Sequence, residues 1–215
     1  MKIVPISSIQ SDPFLYSDIK QILDDSKIIC FPTPTGYKLA ADLASPGAVM
    51  GMLQAKRRIK NAPSLVLIPD ETWVSKVATD ISDSAWALMK AFWPGPLTLL
   101  FSANDELPPM VRRALTKAKG WLGVRLPGDD VSTAILGIFN KPLLVTSANL
   151  AKKHGANSAG QVRKNFGRTV DVMIDAGDIE TGRSSTLVNM TNSTPAVIRA
   201  GAISEDDIRA VLEVA

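Results

Sequence analysis

The chain has 215 residues, 46% of them hydrophobic and 21% charged, with a formal net charge of +3. That length supports one large domain, or two small ones, with a real core, and the composition is that of an ordinary globular chain. No apolar run approaches the roughly 18–20 residues needed to span a bilayer, so no membrane-spanning segment is expected. MKIVPISSIQ lacks the long apolar segment of a secretory signal. Cys30 is the only cysteine, so an intrachain disulfide is excluded and a cytoplasmic, reducing location is expected.

The basic excess is mild but clustered: Lys56, Arg57, Arg58 and Lys60; Arg112, Arg113, Lys117 and Lys119; Lys152 with Lys153; Arg163, Lys164 and Arg168. Acids gather at Asp24–Asp25, Asp129–Asp130 and Glu205–Asp207. The asymmetry permits an anionic ligand or RNA on one face. Any single cluster reads more simply as a solvated helix face.

Taken in order, Leu15, Ile19, Ile22 and Leu23 recur at helical spacing and predict a first amphipathic helix ending near Lys27. Ile28–Phe31 reads as a strand stopped by Pro32, and PTPTGYKL as a loop leaving its end. Ser45 and Pro46 are an N-cap and a first-position proline. Val49, Met52, Leu53 and Lys56 share a face of the helix they open, which puts Lys56 and Arg58 at its final turn. The plain reading of those two cations is a solvated helix end complementing the macrodipole. Leu65–Ile68 is a buried strand.

Trp86, Met89 and Trp93 predict a helix face ended by Pro94-Gly95-Pro96. Leu97–Phe101 is a strand, and Val111 with Leu115 marks a short helix. Leu122, Val124 and Leu126 share one face of the next strand and Gly123 and Arg125 the other. A glycine beside an arginine leaves room for a ligand there. Val131, Ile135, Leu136 and Phe139 form the helix that feeds a short apolar strand, Leu143–Val145, of the kind buried on both faces.

That strand runs into Thr146, Ser147, Ala148 and Asn149. Polar side chains at the rim of a buried strand can be turn residues or can meet a ligand, since they are held by the core yet face solvent. Ser158 is expected to cap a helix with Val162 and Phe166 inward and Gly167 at its end. Val172–Ile174, Ser185–Asn189 and Ala196–Arg199 are further strands, and Ser204-x-x-Asp207 is a capping box for a last helix through Ile208, Val211 and Leu212. Strands and helices interleave throughout, so the expected fold is one three-layer α/β (α+β) domain over residues 1–215 with a mixed sheet.

There is no GxxxxGK[ST] loop, no GxGxxG and no Cys/His pair at metal spacing, so no metal ligands are assigned. His154 reads as a solvated loop residue. A bound phosphate would have to be held by scattered lysines, arginines, hydroxyls and amides. Four separated segments point one way: PTPTGYKLAAD (32–42), KRR with Pro63 (56–63), TSAN (146–149) and SSTLV (184–188). WPGPLTL (93–99), GVRLP (123–127) and VIRAGAIS (197–204) lie between and beyond them. Together, and in this order, they resemble the YrdC/TsaC family of L-threonylcarbamoyladenylate synthases, from about Ile28 onward and in the short, single-domain form.

The resemblance implies a twisted mixed sheet with a concave basic cavity. It also implies a nucleotidyltransferase that turns L-threonine, bicarbonate and ATP, brought with Mg²⁺, into threonylcarbamoyl-AMP and pyrophosphate for tRNA modification. A downstream threonylcarbamoyl transferase complex would use the product, and contact with tRNA or double-stranded RNA is implied as well. The family's KxR and SxN signatures fall on Lys56, Arg58, Ser147 and Asn149. Thr33 and Thr35 match the threonine-binding loop, and Thr98, Arg125, Ser185 and Arg199 the nucleotide pocket.

The usual loop PT[DE]TVYGL departs here at Pro34, Gly36 and Lys38, and Lys38 is expected to point inward as a substrate-binding cation. Ala62 stands for a common lysine, and Leu150-Ala151 for Ser-Gly. Two other readings remain open at the level of sequence: a diverged nucleotide- or RNA-binding module without turnover, and a carbamoyl-adenylate enzyme for another amine.

Overall fold

A computed structural model describes residues 1–56, 64–116, 121–150 and 156–214. Among the described residues, eleven strands form one twisted, mixed sheet. They are β1 (Lys2–Pro5), β2 (Ile29–Phe31), β3 (Lys38–Asp42), β4 (Ser64–Leu67), β5 (Ala78–Thr79), β6 (Leu97–Ala103), β7 (Trp121–Arg125), β8 (Leu143–Ser147), β9 (Val172–Asp175), β10 (Thr186–Asn189) and β11 (Ala196–Arg199). Their order is β1-β9-β2-β3-β8-β4-β7-β6-β10-β11, with β5 paired to β6. The helices are α1 (Ser8–Ser11), α2 (Pro13–Asp24), α3 (Pro46–Ala55), α4 (Val74–Val77), α5 (Asp83–Phe92), α6 (Pro109–Leu115), α7 (Asp130–Phe139), α8 (Ala159–Phe166) and α9 (Glu205–Leu212). Among the described residues, no helix is long and apolar enough to cross a membrane.

Strand side chains alternate between two apolar clusters, as the pleat requires. Cys30, Leu39, Val66, Leu99, Val124 and Leu144 enter one, with Met52 of α3, Leu88 of α5, Val111 of α6, Phe166 of α8 and Ile208 of α9. Ile29, Phe31, Ala40, Leu67, Leu143 and Val145 enter the other, closed by Ile19 and Leu23 of α2 and by Ile135, Leu136 and Phe139 of α7. The three layers expected from the interleaving are therefore present. Their cover is unequal, because α2 and α7 reach from β1 only as far as β4. On that same face of β7, β6 and β10, Gly123, Arg125, Thr98, Leu100 and Leu187 line a cavity instead of packing under a helix. Burial of each full-sized apolar side chain contributes roughly 1.5–3 kcal/mol, so these strands are held mainly through their opposite face.

Local chemistry explains most boundaries. Ser45 Oγ accepts from Ala48 N at the start of α3, and the Ser204/Asp207 capping box opens α9. α2 stops at Asp24, short of Lys27, because Ser26 is left-handed at φ +61° and the Ser26 and Lys27 amides donate to Leu23 O and Ile22 O. That is a Schellman ending built on a serine.

Five expectations change. The stretch read as a loop leaving β2 turns back at Gly36, and from Lys38 it runs as β3, hydrogen-bonded on one side to β2 and on the other to β8. Ser158 makes no capping bond; Asp178 Oδ1 accepts from Ala159 N in its place. Trp86 is 40% exposed, and Ala85, Leu88 and Met89 form the buried face of α5. The buried stripe of α7 begins at Ser132, not Val131. β8 extends through Ser147, so the polar tetrad begins inside the strand.

Candidate functional site

The cavity has two lobes, of about 530 and 520 Å³, that share Thr35, Lys38, Leu65, Arg125, Val145 and Ser185 as common wall. Lys56, Ser147, Asn149, Thr98 and Arg199 belong to the first lobe; Thr33, Asp129, Ser132 and Arg183 belong to the second. Ten of the eleven residues that sequence assigned to the site thus line one connected space. The eleventh, Arg58, lies outside the described residues, as do Arg57, Lys60, Ala62, Pro63, Lys117, Lys119, Ala151, Lys152, Lys153 and His154.

At the far end of the first lobe, α3 delivers Lys56 to the C-terminal end of β8. Its ammonium donates to Thr146 Oγ1 at 2.8 Å, Ser147 O at 2.6 Å and Ser147 Oγ at 3.3 Å. Ser147 Oγ in turn donates to Asn149 Oδ1 at 2.6 Å. Lys56 is only 7% exposed. It is a buried cation held by oxygens, which corrects the solvated helix end that sequence suggested. A buried lysine beside hydroxyls is suited to an incoming anion, because its charge is little screened there.

The wall opposite is built from β6, β7, β10 and β11. Thr98 and Ser185 hydroxyls are 2.9 Å apart, and Arg199 Nη2 donates to Ser185 O at 2.8 Å and to its hydroxyl at 3.3 Å. Gly123 keeps the floor open: a side chain there would press within 3.2 Å of both Ser64 O and Thr98 Cγ2. Two residues on, Arg125 donates through Nε to Gly95 O at 2.8 Å, which fixes its guanidinium at the shared wall.

Between the lobes stands Lys38, at the start of β3 and in register with Ser147. It points inward as expected, and its ammonium donates to Thr35 O at 3.2 Å. Burial, then the nearby Arg125 charge, push its pKa down to about 8, with Arg199 adding and Asp129 opposing. Burial also lowers Arg125, while Asp129 again opposes.

The loop before Lys38 is a tight turn. Thr33 and Gly36 exchange backbone bonds, Thr33 Oγ1 donates to Gly36 O at 2.7 Å, and Gly36 sits at φ +94°. A substituent on Gly36 would meet Ala156 O at 3.0 Å, so glycine is required twice over. Tyr37 then anchors the turn from below. Its fully buried hydroxyl donates to Gly177 O at 2.7 Å and accepts from Ala176 N at 2.9 Å, and burial raises its pKa to about 12.

The sequence reading missed Ser64, Asp129, Ser132, Arg183 and Ser184, which also line the lobes. Of these, Ser132 had a legible signal: it occupies the first position of the i, i+3, i+4, i+7 stripe completed by Ile135, Leu136 and Phe139. Among the described residues no group of three or more His, Cys, Asp or Glu side chains is placed to hold a metal ion.

Residues 21–201 match the model of the family that groups Sua5, YciO and YrdC, described as "Telomere recombination". The chain belongs to this family. Within it, a putative threonylcarbamoyl-AMP synthase from Mycobacterium tuberculosis is 33% identical over 188 residues, covering 87% of this chain and 84% of that protein. A threonylcarbamoyl-AMP synthase from Pyrococcus abyssi is 29% identical over 188 residues, covering 87% of this chain but 54% of that protein. The chain spans about half the length of that relative and of the Bacillus subtilis one. Among solved structures, P. abyssi Sua5 complexed with L-threonine matches with a TM-score of 0.83 at 26% identity, over 98% of this chain and 61% of that one. The family resemblance read from separated motifs is thereby borne out.

Proposed function

We propose that this chain makes threonylcarbamoyl-AMP and pyrophosphate from L-threonine, bicarbonate and ATP. The observation that carries this reading is the Lys56–Ser147–Asn149 cluster, which shares one two-lobed cavity with Lys38, Arg125 and Arg199. The family relatives named threonylcarbamoyl-AMP synthase and the structural likeness to a Sua5 complexed with L-threonine support it.

In this reaction the threonine amine attacks the carbon of bicarbonate, expelling water, or that of carbon dioxide, releasing a proton. The resulting carbamate oxygen then attacks the α-phosphorus of ATP, and the bond to the departing pyrophosphate breaks. Two anions must approach one another, so the protein's chief contribution is charge neutralisation and positioning. Lys56 and the Ser147 hydroxyl hold phosphate oxygens at the end of the first lobe. Thr33 and Thr35 present the amino acid from the second. Lys38 and Arg125, common to both lobes, stand where carbamate and α-phosphate meet. Arg58 is the further phosphate contact implied by the KxR signature.

Mg²⁺ would arrive on the triphosphate, shielding its charge; Asp129 is the only carboxylate among the described residues lining either lobe. The adenylate would pass to a cytoplasmic transferase complex acting on tRNA, with the basic clusters available for RNA contact.

The test mixes protein, ATP, Mg²⁺ and bicarbonate with and without L-threonine and follows pyrophosphate and the adenylate. Threonine-dependent release of both is expected, and Lys56→Met should slow it roughly 10²–10³-fold, the usual cost of one charged stabiliser. Release that ignores threonine, or full activity in Lys56→Met, overturns the assignment.

A further inference from the structure

The second lobe holds one negative charge among several positive ones. Lys38, Arg125 and Arg183 line it, and Lys56 and Arg199 line the adjoining lobe. Asp129 is the sole carboxylate on either wall among the described residues. It also stands at the start of α7, where its Oδ1 accepts from Ser132 N at 3.0 Å. That bond is an N-cap, and a cap needs one oxygen and no charge. Ser45, Ser82 and Ser204 cap α3, α5 and α9 with neutral hydroxyls. Asp129 Oδ2 is left over: among the described residues no hydrogen bond or ion pair reaches it. Nor is it sealed in, since the one buried side-chain oxygen or nitrogen without a partner among the described residues belongs to Ser132. The Asp129 charge nevertheless acts on the cations of the shared wall, opposing the lowered pKa of both Lys38 and Arg125.

A free amino acid has the charges that match this array. Its carboxylate suits Lys38 and Arg125, but its ammonium is repelled by the same cations unless an anion receives it. A triphosphate gains nothing from Asp129 and is turned by it towards the first lobe. We propose that Asp129 is a specificity-determining residue that receives the α-amino group of the amino-acid substrate. Its Oδ2 accepts an N–H from the ammonium, and afterwards from the nitrogen of the carbamate that forms there. The assignment rests on reading the second lobe as the amino-acid site. It adds the anchor that fixes where the nucleophilic nitrogen stands. The new carbamate oxygens are then directed away from Asp129, towards Lys38 and Arg125, because like charges repel.

Binding is measured apart from turnover, so the two readings fail separately. The full chain is titrated calorimetrically with Mg²⁺ and α,β-methylene ATP present, which blocks adenylate formation. The ligands are L-threonine and (R)-3-hydroxybutanoate, which keeps the carboxylate, hydroxyl and methyl group and lacks only the amino group. Wild type should bind threonine well ahead of the analogue. In Asp129→Asn that ratio should shrink by about 10–100-fold, with threonine weakened and the analogue unchanged or tighter, as for a lost hydrogen bond between charged groups. The Tm should stay close to wild type, because asparagine caps a helix as well as aspartate does. Asp129→Ser, which also keeps a capping oxygen, should show the same loss. A ratio that stays at the wild-type value in both variants overturns the role of Asp129, as does equal wild-type affinity for the two ligands. No threonine binding by wild type overturns the amino-acid site and Asp129 with it. Threonine binding without threonine-dependent pyrophosphate release overturns the synthase reading and leaves Asp129 in place.

Discussion

Lys38 stands where the family loop ordinarily has glycine, and its surroundings set its behaviour. Burial and the Arg125 charge bring it from the ordinary 10.5 to about 8. Between those values the unfolded chain binds more protons at this position than the folded one, so stability contributed here rises with pH across that window. The penalty is fully present below about pH 8 and is gone above the unfolded value. Lys38→Met should therefore stabilise the fold at pH 7 and lose that advantage towards pH 10, which denaturant unfolding at the two pH values will measure. In turnover the same variant should raise the KM for threonine about tenfold or more, as expected when a buried charge partner is removed. Wild-type KM for threonine should itself climb as pH passes about 8 and the cation is lost. A flat pH profile matching that of Lys38→Met would remove Lys38 from substrate binding.

At the level of elements, the crossing of residues 184–186 with 201–203 decides where Arg199 and Ser185 sit. Thr186 Oγ1 donates to Ile203 O at 2.6 Å and accepts from the Gly201 and Ile203 amides at 3.0 Å. Ala202 N donates to Ser184 O at 2.9 Å. Gly201 admits this approach only because it lacks a side chain: a Cβ there would lie 2.2 Å from Ser184 O. Gly201→Ala must displace the backbone that carries Ser185. We expect it to destabilise by roughly 1–3 kcal/mol, the range for overpacking, and to raise the KM for ATP, read from unfolding curves and initial rates. An alanine variant with wild-type KM would show that this crossing does not position the nucleotide wall. Elements differ in how visible they are in the chain. β7 announces itself through the alternation of Leu122 and Val124 with Gly123 and Arg125. β3 does not, because KLAAD has little β-branched or aromatic character and its strand state comes from neighbours on both sides.

Across the whole molecule, the cavity follows from an imbalance between layers. One face of the sheet packs helices along nearly its whole width, while the other is covered by α2 and α7 only as far as β4. The uncovered strands present Arg125, Thr98 and Gly123 in place of a packed apolar face. A ligand that binds such a surface only in the folded state adds stability by linkage. Saturating ATP with Mg²⁺ should raise the Tm, and at a hundredfold excess over Kd the linkage amounts to roughly 2.7 kcal/mol. Threonine added with ATP should raise it further. Thermal scans of wild type and Lys56→Met separate the cases, since the variant should respond weakly to ATP; an equal response would move the triphosphate away from Lys56.

By itself, the chain's sequence was enough to determine the three-layer α/β class and several helix starts, and its family resemblance picked out ten residues that line the cavity. Capping residues, prolines and apolar periodicity act over a few neighbours, and motif chemistry is carried by residue identity. Tertiary structure alone decided the rest. Lys56 became a buried donor rather than a solvated helix end because β8 brings Thr146 and Ser147 to it across ninety positions of chain. Lys38 acquired its lowered pKa first from burial and then from Arg125 and Arg199, which arrive on other strands. The Ser132 hydroxyl lies on the buried face of α7 without a hydrogen-bond partner. Desolvation, charge proximity and unmet hydrogen bonds depend on what packs around a group, and no local run of sequence contains that.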